Sequence, residues 1–156
     1  MSKSDKSSVQ NEQHLEAQVA ELKKRLVIDP MKLTEAMVEQ STLMLAAREA
    51  VVDCTALRDG VKHDLEVYAA KHDAEVREEA LNAGEKLTEA RIAAMVASDP
   101  GTIEWKYSLI DANALLGKAQ ALADSYLQRS WMLRELAQIH APFERDRQGG
   151  LAPPSA

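Results

Sequence analysis

The side chains of this chain that could do chemistry are four histidines, one cysteine and a surplus of carboxylates, and their spacing limits what they can do. His14, His63, His72 and His140 are scattered. His63 and His72 lie nine apart, which does not bring them onto one helix face, whereas a metal site on a helix needs ligands three or four apart. Cys54 stands alone, forms no intramolecular disulfide, and reads as a small buried hydrophobe in a reducing compartment. Gly60, Gly84, Gly101 and Gly117 are isolated from one another, so there is no glycine-rich phosphate loop, and no Ser-His-acid spacing suggests a nucleophile with its base. Glu66, Asp73, Glu75, Glu78 and Glu79 read as a solvated helix surface. The expectation is a protein that is not an enzyme and holds neither metal nor cofactor. The basic run Lys23-Lys24-Arg25 reads as a complement to the C-terminal dipole of a helix, with a phosphate contact as the sharper alternative.

What must position these residues is helix. From Asp29 to Gly84 the chain reads as one long amphipathic helix: Asp29 caps it, Pro30 suits its first turn, and Gly84 after Asn82 supplies a left-handed stop. Leu33, Met37, Gln40, Met44, Ala47, Val51, Cys54, Arg58, Val61, Leu65, Tyr68 and His72 recur at alternating spacings of four and three and are mostly apolar, which makes a coiled-coil-like seam. Arg58-Asp59-Gly60 is the one turn signal inside it, but the apolar phase runs through without a slip, so the expectation is a single helix bent at most at Gly60. A stripe of this length needs a partner in the same chain or in another copy.

Before it, Met1 to Asn11 is polar and reads as disordered, and Leu15, Val19, Leu22 and Leu26 give a short helix one narrow apolar face. After Gly84, Thr88 caps a brief connector helix with Ile92, Met95 and Val96. Asp99-Pro100 then repeats the start signal and opens a second long helix, expected to end near His140 because of Pro142. Its face carries Trp105, Leu109, Ala112, Leu116, Ala119, Ala123, Tyr126, Ser130, Leu133 and Ala137, and its alanine-rich middle is slim enough for close helix approach. Toward its end, Tyr126, Leu127, Trp131, Leu133, Leu136 and Ile139 spread round more than one face, which predicts an oligomer interface. The domain reading is therefore a disordered 1–11, an all-helical domain over 12–147 and a flexible tail over 148–156. The fold class is all-α: an elongated hairpin of two long helices with short N-terminal and connector helices, assembling into an oligomer.

Composition agrees with this. Aromatics make up 4% of the 156 residues, which favours elongated helix packing over an enclosed core. The net charge of −6 argues against clinging to nucleic acid or membrane by bulk charge, though local patches remain open. With no apolar run that resembles a signal peptide or a membrane span, a cytoplasmic protein is expected.

The segment Glu21-Leu22-Lys23-Lys24-Arg25-Leu26-Val27-Ile28-Asp29-Pro30-Met31-Lys32-Leu33 resembles the start of the UvsY recombination mediators of T-even phages, in which a similar ELKK, apolar run, I-D and K-L open a long helix. The likeness continues through Glu85-Lys86-Leu87-Thr88-Glu89 to a closing helix near Gln138-Ile139, and spans about four fifths of the chain with elements in the same order. It implies a closed ring of six or more copies that binds single-stranded DNA, displaces the single-strand-binding protein and loads a UvsX-type recombinase in the host cytoplasm. It also implies a basic DNA-binding segment late in the first long helix. Here that segment supplies Lys71, His72 and Arg77, interleaved with Asp73, Glu75, Glu78 and Glu79, with Lys62, Lys86 and Arg91 nearby to complete the patch. The competing expectation from the residues alone is a helical scaffold or assembly chaperone that binds no nucleic acid.

Overall fold

The computed structural model describes the backbone of residues 3–149 and the side chains of residues 10–139. Among the described residues every regular element is helical: α1 (Lys3–Lys24), a 3-10 turn (Pro30–Lys32), α2 (Leu33–Asn82), α3 (Glu89–Ser98) and α4 (Pro100–Gly149). The expected tail beyond Gly149 lies outside the described residues.

Local chemistry sets the boundaries. The Asp29 carboxylate accepts the Met31 N–H at 2.9 Å and its carbonyl accepts Lys32 N–H at 3.0 Å, which starts α2 through one tight turn. At the other end Gly84 takes φ +70°, a conformation that a β-carbon disfavours, so that Glu85 N–H reaches back to the Ala80 carbonyl at 2.9 Å. Gly60 lies within unbroken helix. The Thr88 hydroxyl accepts Arg91 N–H at 3.3 Å to cap α3, and the Asp99 carboxylate accepts Thr102 N–H at 2.9 Å to cap α4.

Two boundaries differ from the sequence expectation. α1 is helical from Lys3, within the stretch whose composition suggested disorder up to Asn11; once the apolar part has nucleated a helix, adding polar residues such as Lys and Gln upstream is nearly neutral. α4 does not end before Pro142 but continues to Gly149. Proline's fixed φ is itself helical, and its penalty is one lost hydrogen bond and a local clash, which kinks a helix as readily as it ends it.

α2 and α4, each 50 residues and about 75 Å long at about 1.5 Å per residue, pack antiparallel: Tyr68 of α2 meets the start of α4, while Ala36 and Gln40 meet Tyr126 and Arg129. The contact is close where both helices are slim. Ala47, Ala50 and Ala119 are fully buried and Ala112 nearly so. α1 lies in the groove between the two, antiparallel to α2, and contributes Leu15, Val19 and Leu22 to one core with Leu43, Cys54, Leu115, Leu122 and Tyr126.

The third helix rotates the buried face. In the N-terminal half of α2 the column Gln40, Ala47 and Cys54 faces inward as expected, but its buried companion column is Ala36, Leu43 and Ala50, with Met44 and Val51 half-buried at its margin. A stripe that serves two neighbours must turn toward both, and Met37 is left exposed. On α4 the expected stripe is inward, and Leu115, Leu122 and Arg129 are added to it on the side that meets α1.

Gly101 is required by packing. A β-carbon there would collide with the Tyr68 hydroxyl. Gly101→Ala is expected to lower the thermal midpoint by several degrees, checked by thermal unfolding against Gly60→Ala, where an added β-carbon meets nothing within 4 Å and the midpoint should rise.

Candidate nucleic-acid and assembly surfaces

The cationic residues expected to form one patch are divided by the fold. Arg77, late in α2, is clamped between two carboxylates: its guanidinium donates to Asp73 at 2.6 Å on its own helix and to Glu89 at 2.6 and 2.8 Å at the start of α3. The paired Glu89 and Asp73 push the Arg77 pKa further up, and Arg77 holds the Glu89 carboxyl below its usual range. Arg77 is thus a strut that fixes α3 on α2, and its donors are spent on protein rather than offered to a phosphate. Lys71 lies 3.9 Å from Glu75 and Lys62 3.9 Å from Glu66, each one helical turn along. These exposed pairs are weak and leave both ammonium groups able to swing away.

His72 is half-buried. Its Nε2 lies 3.8 Å from Asp99 and its Nδ1 3.4 Å from Glu75, while its ring stacks on Tyr68 with centroids 6.5 Å apart. Tyr68 in turn donates to Asp99 at 3.0 Å. This cluster closes the hairpin at the end where α2, α3 and α4 meet, and both ring nitrogens of His72 face carboxylates within it. Lys86, in the connector, and Arg91, in the first turn of α3, are exposed and have no acidic partner within 4 Å among the described residues.

The Asp99 cluster makes a pH prediction. The Thr102 N–H first, then the Tyr68 hydroxyl and the nearby His72, hold the Asp99 carboxyl below its ordinary value of 3.8, against the opposing effect of burial. A carboxyl depressed in the folded state contributes stability that is present above its unfolded pKa and is lost as pH falls through the folded one. Acid unfolding below about pH 4 should therefore be less steep in Asp99→Asn, which keeps an acceptor for Thr102 but has no proton to take up; urea midpoints at pH 7 and pH 3 check this.

The expected oligomer interface is divided as well. Tyr126 and Leu133 belong to the core of the single chain, 0% and 2% exposed. The Tyr126 hydroxyl donates to the Leu22 carbonyl at 2.7 Å, and the Gln40 amide donates to the Tyr126 carbonyl at 2.8 Å, because α1 and α2 together cover this part of α4. Leu136 is half-buried, whereas Leu127, Trp131 and Ile139 are exposed, as are Val38, Leu45 and Val52 at seven-residue spacing on the outer side of α2.

A buried arginine escaped the sequence reading. Arg129, 5% exposed, donates to the Leu26 carbonyl at 3.2 Å, to the Ala36 carbonyl at 3.4 Å and to the Gln40 side-chain oxygen. The available signal was its place in the column Leu122, Tyr126, Arg129 and Leu133, where a lone charge breaks an otherwise apolar or aromatic series. With Tyr126 it binds carbonyls at and just beyond the C-terminal end of α1: Tyr126 adds a second donor to Leu22, which already accepts the Arg25 N–H, and Arg129 serves Leu26 in the turn that follows.

Burial, then the neighbouring Asp53, pushes the Cys54 thiol up, away from the reactive thiolate. Among the described residues no three His, Cys, Asp or Glu side chains converge as metal ligands, and no helix is long and apolar enough to cross a membrane. No family model, curated protein or solved structure matches this chain.

Proposed function

We propose that this protein is a non-enzymatic, self-assembling recombination mediator: a ring of copies that binds single-stranded DNA in the cytoplasm, displaces the single-strand-binding protein and loads a UvsX-type recombinase. The observation that carries the assembly is apolar surface that one hairpin leaves uncovered, with Trp131 57% and Ile139 59% exposed beside Leu127. The resemblance at Glu21–Leu33 and the element order support the DNA activity. The cations placed to serve it are Lys86 and Arg91, free on the connector and α3, with Lys62 and Lys71 contributing from α2. Each subunit offers a modest patch, and several arrayed on one ring grip a flexible strand by effective concentration. Few aromatics are exposed for base stacking, so sequence preference is slight.

A second reading, a helical scaffold without nucleic-acid binding, is favoured by one observation: Arg77 is spent on Asp73 and Glu89. Fluorescence anisotropy with a labelled oligonucleotide separates the two. The mediator binds at low salt and weakens as salt rises, with a slope near 0.7 per phosphate neutralised. The scaffold does not bind at low salt. Lys86→Glu with Arg91→Glu is expected to weaken binding roughly tenfold or more, about 1.4 kcal/mol per decade, with assembly intact; unchanged binding would move the patch elsewhere. Arg77→Glu is a poor probe, since it also breaks the strut between α2 and α3.

A further inference from the structure

We infer that two copies of this chain pair antiparallel along the face of α4 that carries Ile103, Tyr107, Ile110, Ala114, Gly117 and Ala121. These six follow the alternating four and three spacing of a coiled-coil seam. At about 100° per residue they lie about 160° round the helix from the stripe that α2 covers. All six are exposed, Tyr107 and Ile110 by 65% and 60%. Nothing in the chain requires glycine at 117, where an added β-carbon meets nothing within 4 Å.

The occupant follows from the order of sizes, three large residues and then three small ones. Laid against itself in reverse, the seam sets Tyr107 opposite Gly117 of the partner subunit, Ile110 opposite Ala114 and Ile103 opposite Ala121. Every layer then joins one large side chain to one small one, and two-fold symmetry repeats each layer. A parallel pair would instead set Tyr107 on Tyr107 and Gly117 on Gly117, too wide at one end and hollow at the other.

The flanking charges fit the same register. Glu104 of each copy comes beside Lys118 of the other, and neither has an ion-pair partner in its own chain among the described residues. Asp111 meets its own counterpart, a repulsive contact to which Glu12 of α1 adds, its carboxyl pushed up by burial, then by Glu16 and the nearby Asp111. The inference rests on the proposed self-association and adds its face, direction and symmetry. A ring built from such pairs needs a second contact, for which the exposed Leu127, Trp131 and Ile139 are free, and it closes with an even number of copies.

Two variants test this. Gly117→Leu fills the space that Tyr107 enters and favours the helix of the single chain, so circular dichroism should keep its helical signal while the dissociation constant from light scattering rises at least tenfold. Chains with Ile110→Cys and chains with Ala114→Cys, mildly oxidised, should cross-link when mixed and not when separate; buried Cys54 in the wild-type chain is the control. Cross-linking of either variant alone, no cross-link in the mixture, or an oligomer indifferent to Gly117→Leu would overturn the inference and leave self-association standing. A wild-type chain that is monomeric at every concentration would end both.

Discussion

Tyr126→Ala should destabilise the chain by about 4 kcal/mol, because it empties a fully buried aromatic site at the junction of three helices. For a chain of this length that is a fall in thermal midpoint of roughly 8 to 16 °C. The loss has two parts that Tyr126→Phe separates. Phenylalanine keeps the ring packed between α1 and α2 and removes only the hydroxyl, leaving the Leu22 carbonyl with the Arg25 N–H at 3.1 Å as its remaining donor. That variant should cost about 1 kcal/mol, the usual net worth of one hydrogen bond. Denaturant unfolding of the two variants checks the division: equal losses in both would mean that the hydroxyl, and not the ring, holds this junction.

Arg129→Met should cost about 3 kcal/mol even though the replacement fills similar space and is more apolar. Arginine has donors in a planar fork and uses them here on three acceptors, one in the turn after α1 and two on α2. Methionine leaves the Leu26 carbonyl and the Gln40 oxygen facing apolar surroundings without a donor. Lysine should rescue little, since one ammonium on a flexible stem cannot serve all three directions. The effect should be local at first: amide hydrogen exchange across α1 should quicken more than in the middle of α2 or α4. Uniform quickening would show that α1 does not depend on this strut.

Tyr126 and Arg129 lie three apart and their side chains both hold the C-terminal end of α1, so their losses should not add. Together they show why a third helix matters in a fold otherwise legible as a hairpin. α1 is held by Leu15, Val19 and Leu22 through burial, and at its C-terminal end by two side chains of α4 that donate to the Leu22 and Leu26 carbonyls.

Much of the fold was legible because its signals are local. Asp29 and Asp99 each precede a proline and cap the turn that follows, Thr88 caps α3, and Gly84 stops α2; a cap depends on a handful of neighbouring residues. The candidate surfaces were less legible. Arg77 and Lys86 look alike in sequence, yet one is clamped by Glu89 and the other is exposed, a difference made by where the connector sets α3. Tyr126 and Trp131 both looked like interface aromatics, yet one is buried and the other open, because α1 reaches the first and not the second.

By itself, the sequence determined that this protein is helical, where α2 and α3 begin, where α2 stops, and that its long helices carry stripes too long to hide alone, since periodicity and caps are properties of single segments. Tertiary structure alone decided which column of α2 turns inward, that an arginine is buried, and which cations and aromatics stay free. Those outcomes depend on the placement of α1 and α3 against the hairpin, and no residue expresses that placement until helices distant in sequence compete for the same surface.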